Sequence, residues 1–204
     1  MNKKIGIIDV GIGNIKSIQN MLYSCEADSY IITNPNEINN FSKVILPGVG
    51  SFDAFMKKLN EYNFVKPLKY NILKKKISLL GICLGMHVLF KKSEEGQLEG
   101  LFLLDGIIEK ISNYNNKTKI PHNGWNTLKL EKESKLLSYT DDLRFYFNHS
   151  YFLKSTQKKN ILTTTNYNEN FISSVEFENI YGVQFHPEKS HKYGKTFFLK
   201  FIKL

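Results

Sequence analysis

The stretch Ile77-Ser78-Leu79-Leu80-Gly81-Ile82-Cys83-Leu84-Gly85-Met86 decides how this chain folds. Ile77 to Ile82 is a short, mostly apolar run, as expected of a strand buried on both faces. Leu84 to Phe90 then opens a helix. Gly81 and Gly85 bracket Cys83 in the G-x-nucleophile-x-G shape of a nucleophile elbow. A strand turning sharply into a helix sets Cys83 at the helix N-terminus, whose positive end favours thiolate. The backbone N–H of Leu84 is expected to point at a developing oxyanion. Free cysteine is commonly a buried, inert residue. That reading fits Cys25, the only other cysteine, which has no such surroundings. Two widely spaced cysteines imply neither a disulfide framework nor a metal site.

Upstream of the elbow, strand and helix signals alternate. Ile5 to Val10 reads as a buried strand, and Asn14 to Cys25 as a helix with Ile15, Ile18, Met21 and Leu22 on one face. Tyr30 to Thr33 and Lys43 to Leu46 are short strand candidates. Ser51 is placed to cap a helix carrying Phe52, Phe55, Met56 and Leu59, and Phe64 to Lys74 reads as another helix. Such alternation predicts an α/β fold, a parallel sheet with helices on both faces. Gly11-Ile12-Gly13 follows a strand, but Lys16 stands where a dinucleotide fingerprint needs its third glycine. It is read as a tight turn. Downstream come short β-rich pieces at Ile107–Ile111, Thr127–Leu130, Phe145–Phe147, Ile161–Thr165, Phe171–Phe177 and Tyr181–Phe185. Turn residues such as Asn113 to Asn116 separate them, and a helix from Lys192 to Ile202 closes the chain. No repeat or low-complexity linker divides the sequence, so residues 1–204 are expected to form one domain.

A nucleophilic cysteine needs a base, and the base needs an orienting group. Val183-Gln184-Phe185-His186-Pro187-Glu188 offers both. In an extended segment i and i+2 share a face, and Pro187 biases His186 toward extended backbone. Glu188 is therefore expected to hold one ring nitrogen while the other faces Cys83. Pro47-Gly48-Val49-Gly50 follows a strand and frees backbone N–H groups to complete an oxyanion hole with Leu84.

The 204 residues are 42% hydrophobic and 23% charged, which excludes disorder as the main state. The 28 Lys and Arg outnumber 19 Asp and Glu, leaving +9. That charge alone suggests a nucleic-acid partner. The only arginine is Arg144, however, and the lysines are scattered. Lysine lacks the fork that reads guanine and phosphate, so solvated faces are the better account. The N-terminus reaches Asp9 too soon for a leader, and no apolar run reaches membrane-spanning length. A reducing cytoplasm is expected, where the sequons at Asn116 and Asn148 carry no meaning.

The chain resembles the class I (triad) glutamine amidotransferases. The motifs that carry this are Asp9 to Asn14, Pro47 to Phe52, Gly81 to Met86, Ser93 to Gly96, Ile120 to Asn126, Tyr146 to Tyr151 and Gly182 to Ser190. Within the family it looks like the glutaminase subunits of imidazole glycerol phosphate synthase, or their relatives that feed surface-sugar enzymes. The resemblance implies a flavodoxin-like three-layer fold and a Cys-His-Glu triad. It also implies L-glutamine as substrate, a (β/α)8 synthase partner that receives ammonia in a heterodimer, and no cofactor. Carried over, Cys83 matches the nucleophile, His186 the base and Glu188 its orienter. Gly50 and Leu84 match the oxyanion hole. Val49, Gly50, His87, Glu95, His149, Ser150 and Tyr151 match the glutamine-binding segments. Asn14, Lys16, Pro121, Asn123, Trp125 and Asn126 match the face toward the synthase, Trp125 being the only tryptophan and set in a Gly- and Asn-rich loop. Two residues depart from the family. His87 stands where Gln is usual and contacts substrate, and Asn123 stands where Met is usual. An altered glutamine affinity is expected from the first.

Overall fold

A computed structural model describes residues 4–112 and 118–204, so the turn expected at Asn113 to Asn116, with the Asn116 sequon, and the first three residues lie outside the described residues. The first half runs β1 (Ile5–Ile8), α1 (Ile15–Ser24), β2 (Ser29–Ile32), β3 (Lys43–Gly48), α2 (Phe52–Glu61), α3 (Val65–Leu73), β4 (Ser78–Cys83) and α4 (Leu84–His87). The second half runs β5 (Gly106–Lys110), β6 (His122–Thr127), β7 (Lys129–Leu130), β8 (Arg144–His149), β9 (Tyr151–Thr156), β10 (Ile161–Tyr167), β11 (Glu169–Phe177), β12 (Ile180–Val183) and α5 (His191–Lys203).

Strands β2, β1, β3, β4 and β12 lie side by side and parallel, the order of a flavodoxin-like sheet with β12 in fifth place. Strands β11, β10 and β7 extend it antiparallel beyond β12. Strand β9 joins β11 and carries β5, while β6 and β8 form a separate antiparallel ribbon.

The two-residue period of the strands divides the core. Ile5, Ile7, Ile45, Leu80 and Ile82 face Ile18 and Leu22 of α1 and Phe197, Phe198 and Phe201 of α5. Ile8, Val44, Leu46 and Leu79 face Phe55, Met56 and Leu59 of α2 and Leu68 and Ile72 of α3. These side chains are almost fully buried, and each contributes on the order of 2 kcal/mol by leaving water. Truncating Phe55 to Ala would cost about 3–5 kcal/mol. The helices thus lie on both faces, and the sheet's carboxyl edge brings Gly48 of β3 beside Cys83 of β4.

Several elements differ from the sequence reading. The helix after the elbow ends at His87, because Leu101 N–H takes the Val88 carbonyl at 2.7 Å and Leu103 N–H takes that of Leu89 at 2.8 Å. The Gly- and Asn-rich stretch from His122 is a strand, held by its register with β8 from His122↔His149 to Thr127↔Arg144. Tyr151–Thr156 is also a strand, paired to β5. Among the described residues, no helix is long and apolar enough to cross a membrane.

Candidate active site

The elbow forms as expected. Cys83 has φ 55°, a conformation that costs a non-glycine residue about 1–3 kcal/mol. Close packing of the turn on the sheet holds it there. A Cβ at Gly85 would overlap the carbonyl oxygen of Leu46, and one at Gly81 would stand 2.5 Å from that of Gly85. No other residue fits either position. The single turn of α4 has little dipole, so the field expected at Cys83 from a longer helix is correspondingly small.

His186 reaches the elbow from the loop after β12. Its N–H donates to the Tyr146 carbonyl at 2.8 Å. The Ser190 hydroxyl donates to the His186 carbonyl at 2.7 Å and accepts from Tyr146 N–H at 3.0 Å. The His186 segment is thereby strapped to β8. Pro187–Lys189 is a 3-10 turn rather than the extended segment expected, yet His186 and Glu188 still meet. His186 Nδ1–H donates to Glu188 Oε1 at 2.8 Å, and Asn14 Nδ2 donates to the same oxygen at 3.0 Å. Cys83 and His186 line the same cleft, close enough for Cys83 to influence the imidazole. Burial opposes an imidazolium here, but the bonds to Cys83 and Glu188 and their negative charges outweigh it, raising His186 to about 10. The arrangement therefore holds His186 protonated at neutral pH, a cation beside the Cys83 sulfur.

The Cys83 sulfur has two further neighbours. Gln184 Nε2 approaches it at 3.8 Å, and the Asn148 carbonyl at 3.9 Å. Gln184 is in turn held by His87, whose Nε2 lies 2.7 Å from Gln184 Oε1. His87 was expected against the substrate. It does border the cleft, but it is 3% exposed and its bonding nitrogen is spent on Gln184. Burial lowers it to about 4, with the Gln184 bond opposing, so it is neutral in use.

A cleft of about 410 Å³ opens over Cys83. Val49, Gly50, Leu84, His87, Glu95, His149, Ser150 and Tyr151, the residues expected around glutamine and its oxyanion, all line it with Cys83 and His186. Leu84 begins α4, so its N–H lacks an intrahelical acceptor. Glu95 hangs from a loop that Asp53 pins to α2, accepting from Gln97 N–H at 3.0 Å and Leu98 N–H at 2.9 Å. Burial raises Glu95, while the Phe52 N–H bond lowers it and nearby Asp53 raises it further. His149 Nδ1 donates to the Tyr151 carbonyl at 2.9 Å, leaving Nε2 to accept from His122 Nδ1 at 2.9 Å. Burial first, then the neighbouring His122, keeps His149 neutral.

The residues expected at a partner face divide into two groups. Asn14 and Pro121 line the cleft itself, Asn14 as a second support of Glu188. Asn123 and Trp125 point outward from β6, and Lys16 is exposed on α1. Trp125 is 45% exposed and stacks on His191 at 5.8 Å, so it is not a core anchor. Asn126 is half-buried, donating to the Asn166 carbonyl at 2.9 Å and to His122 Nε2 at 3.3 Å. Sequence reasoning assigned no role to Gln184 or Asn148, and placed His122 and Lys189 only toward the partner face, whereas His122 is buried and Lys189 lines the cleft. Gln184 carried a signal, a carboxamide between Val183 and Phe185 at the end of a buried strand.

Comparison with known proteins agrees with this geometry. Residues 6–204 match the family described as glutamine amidotransferase class-I. The chain belongs to the class-I glutamine amidotransferases. Among its relatives is the imidazole glycerol phosphate synthase subunit HisH 2 of Methanococcus maripaludis, 48% identical over 200 residues, 98% of each chain. The HisH subunits of Leptospira borgpetersenii and Pyrococcus furiosus are each 41% identical over 204 residues. Those matches cover 98% of this chain, with 100% and 99% of the relatives. Among solved structures, a glutamine amidotransferase superposes with a TM-score of 0.74 at 16% identity, covering 98% of this chain and 99% of that one. The PurLQS structure of Thermotoga maritima gives 0.73 at 15% identity, covering 98% of both. At such identity these two speak to the fold of this amidotransferase.

Proposed function

We propose that this amidotransferase is the glutaminase subunit of an imidazole glycerol phosphate synthase. It hydrolyses L-glutamine to glutamate and ammonia, with Cys83, His186 and Glu188 as its catalytic triad. The observation that carries the reading is Cys83 and His186 together in one cleft, with His186 hydrogen-bonded to buried Glu188 and Glu188 to Asn14. The Cys83 thiolate attacks the side-chain amide carbon, and the oxyanion is received by the N–H of Leu84 and the Val49-Gly50 loop. His186 gives its proton to the amide nitrogen, the C–N bond breaks, and ammonia leaves behind a glutamyl thioester. His186 then takes a proton from an attacking water, and the sulfur departs as thiolate with release of glutamate. Glu95, His149, Ser150 and Tyr151 hold the glutamine.

Ammonia passes to a (β/α)8 synthase, the cyclase subunit, which makes imidazole glycerol phosphate and AICAR in histidine biosynthesis. The names of the Methanococcus, Leptospira and Pyrococcus relatives support this partner, which docks as a heterodimer over Lys16, Asn123, Trp125 and Asn126. Residues 1–204 act as one catalytic domain, in the cytoplasm. The test is glutamate release by the chain reconstituted with that synthase. Cys83→Ala is expected to abolish it, and unchanged turnover would refute the assignment. Co-elution only with a sugar-modifying synthase would move the acceptor to another pathway while leaving the half-reaction intact.

A further inference from the structure

We propose that His87 is a positioning residue that fixes the Gln184 carboxamide with its N–H edge toward the Cys83 sulfur, giving the thiolate an oriented donor. The proposal rests on the reading of Cys83 as nucleophile. Its ground is the bond line His87 Nε2, Gln184 Oε1, Gln184 Nε2, Cys83 Sγ, with separations of 2.7 Å and 3.8 Å at its two ends. His87 is 3% exposed and Gln184 is fully buried, so bulk water does not compete for these atoms. The Gln184 backbone is also fixed, its N–H donating to the Ser173 carbonyl at 2.9 Å. Rotation of the amide is the freedom that remains.

The protons give the line a direction. A neutral imidazole carries one N–H. With that proton on Nε2, it meets the Gln184 oxygen, and Nδ1 is left as a lone pair, buried and without a partner among the described residues. The reverse state would place the proton on Nδ1, where no acceptor lies, and turn the Gln184 oxygen toward the thiolate. An unpaired buried N–H and a repelled thiolate both disfavour it. Burial keeps the ring neutral, near 4, so the direction persists through the neutral range. A Gln at position 87, usual in the family, could also donate, but two facing carboxamides pair in either sense. Imidazole permits one. The oriented donor serves twice, as the thiolate attacks and as it leaves the thioester. The other titratable groups around this line are His186 with Glu188 and, across the cleft, His149. Substitution at 87 or 184 leaves them in place.

The test reads thiolate directly: the rate of iodoacetamide alkylation of Cys83 against pH in the full chain, followed by peptide mass, with buried Cys25 as reference. His87→Leu, which keeps bulk but cannot donate, is expected to slow alkylation about tenfold below the midpoint and raise that midpoint by about one pH unit. His87→Gln is expected to stay within about threefold of wild type. Gln184→Leu should match His87→Leu, and the double variant should show no further loss. An unmoved midpoint in His87→Leu, or an equal loss on the Gln184→Leu background, would overturn the proposal. If Leu at 87 prevents folding, His87→Gln against Gln184→Leu decides: a fast and a slow enzyme support the relay, and equal rates overturn it. Wild-type Cys83 reacting no faster than Cys25 would overturn the nucleophile reading itself, and the relay with it.

Discussion

His186 Nδ1 and Glu188 Oε1 stand 2.8 Å apart in a buried site, and that one carboxylate oxygen also accepts from Asn14 while Oε2 has no partner among the described residues. The whole orienting force on the imidazole thus passes through a single oxygen. Replacing Glu188 with Gln removes the charge that favours imidazolium and lets an N–H face the ring. Glutamate release in the reconstituted complex is expected to fall roughly 10²–10⁴-fold, mostly in kcat. Asn14→Leu removes only the supporting donor and should cost about tenfold, with KM near wild type. Steady-state kinetics on both variants checks the ordering.

Stability should peak near neutral pH. His87 sits near 4 when folded, against about 6.5 when unfolded, because burial disfavours its charge. The unfolded chain therefore takes up the proton first, and stability is lost as pH falls from 6.5 toward 4, about 3 kcal/mol from this residue. His122, also buried and lowered to about 4, acts in the same direction. His186 has the opposite sign. Its folded value is raised to about 10, so its contribution is full below 6.5 and lost as pH climbs toward 10. Urea unfolding across pH 4–10 should trace this dome, and His87→Leu should flatten its acid side. A level profile from pH 4 to 6.5 would contradict the assignment.

The elbow should tolerate no side chain at Gly85. An added methyl would overlap the Leu46 carbonyl oxygen, a backbone atom within the sheet. Gly85→Ala is expected to lower stability by about 3 kcal/mol or more, read as loss of soluble protein or a large fall in Tm.

Much of this site was legible in the sequence because local rules governed it. Gly81, Cys83 and Gly85 carry a turn that few residues permit, and Pro187 keeps His186 and Glu188 together even though the turn is tighter than expected. The parallel strands announced themselves as apolar runs whose alternate residues face two cores. What stayed hidden depends on distant partners. The polar strand from His122 exists because β8 lies beside it, and α4 stops at His87 because Leu101 and Leu103 claim the next carbonyls. The role of Gln184 depends on His87, 97 residues away. No spacing rule links them.

Trp125 should matter to association and little to folding. It is 45% exposed on β6 and packs against His191 and Tyr193. Trp125→Ala is expected to change the stability of the isolated chain by less than about 1 kcal/mol, yet weaken binding to the synthase by about 2 kcal/mol. Thermal melts and calorimetric titration with the synthase separate the two effects.

The central claim is that Cys83 becomes a glutamyl thioester under the control of His186. The most direct measurement is rapid acid quench of the reconstituted complex with glutamine, followed by mass analysis of the peptide containing Cys83. The expected result is a glutamyl adduct on Cys83 that accumulates early and is absent from Cys83→Ala. Full glutamate release with no adduct on Cys83, or an adduct on Cys25 instead, would contradict it.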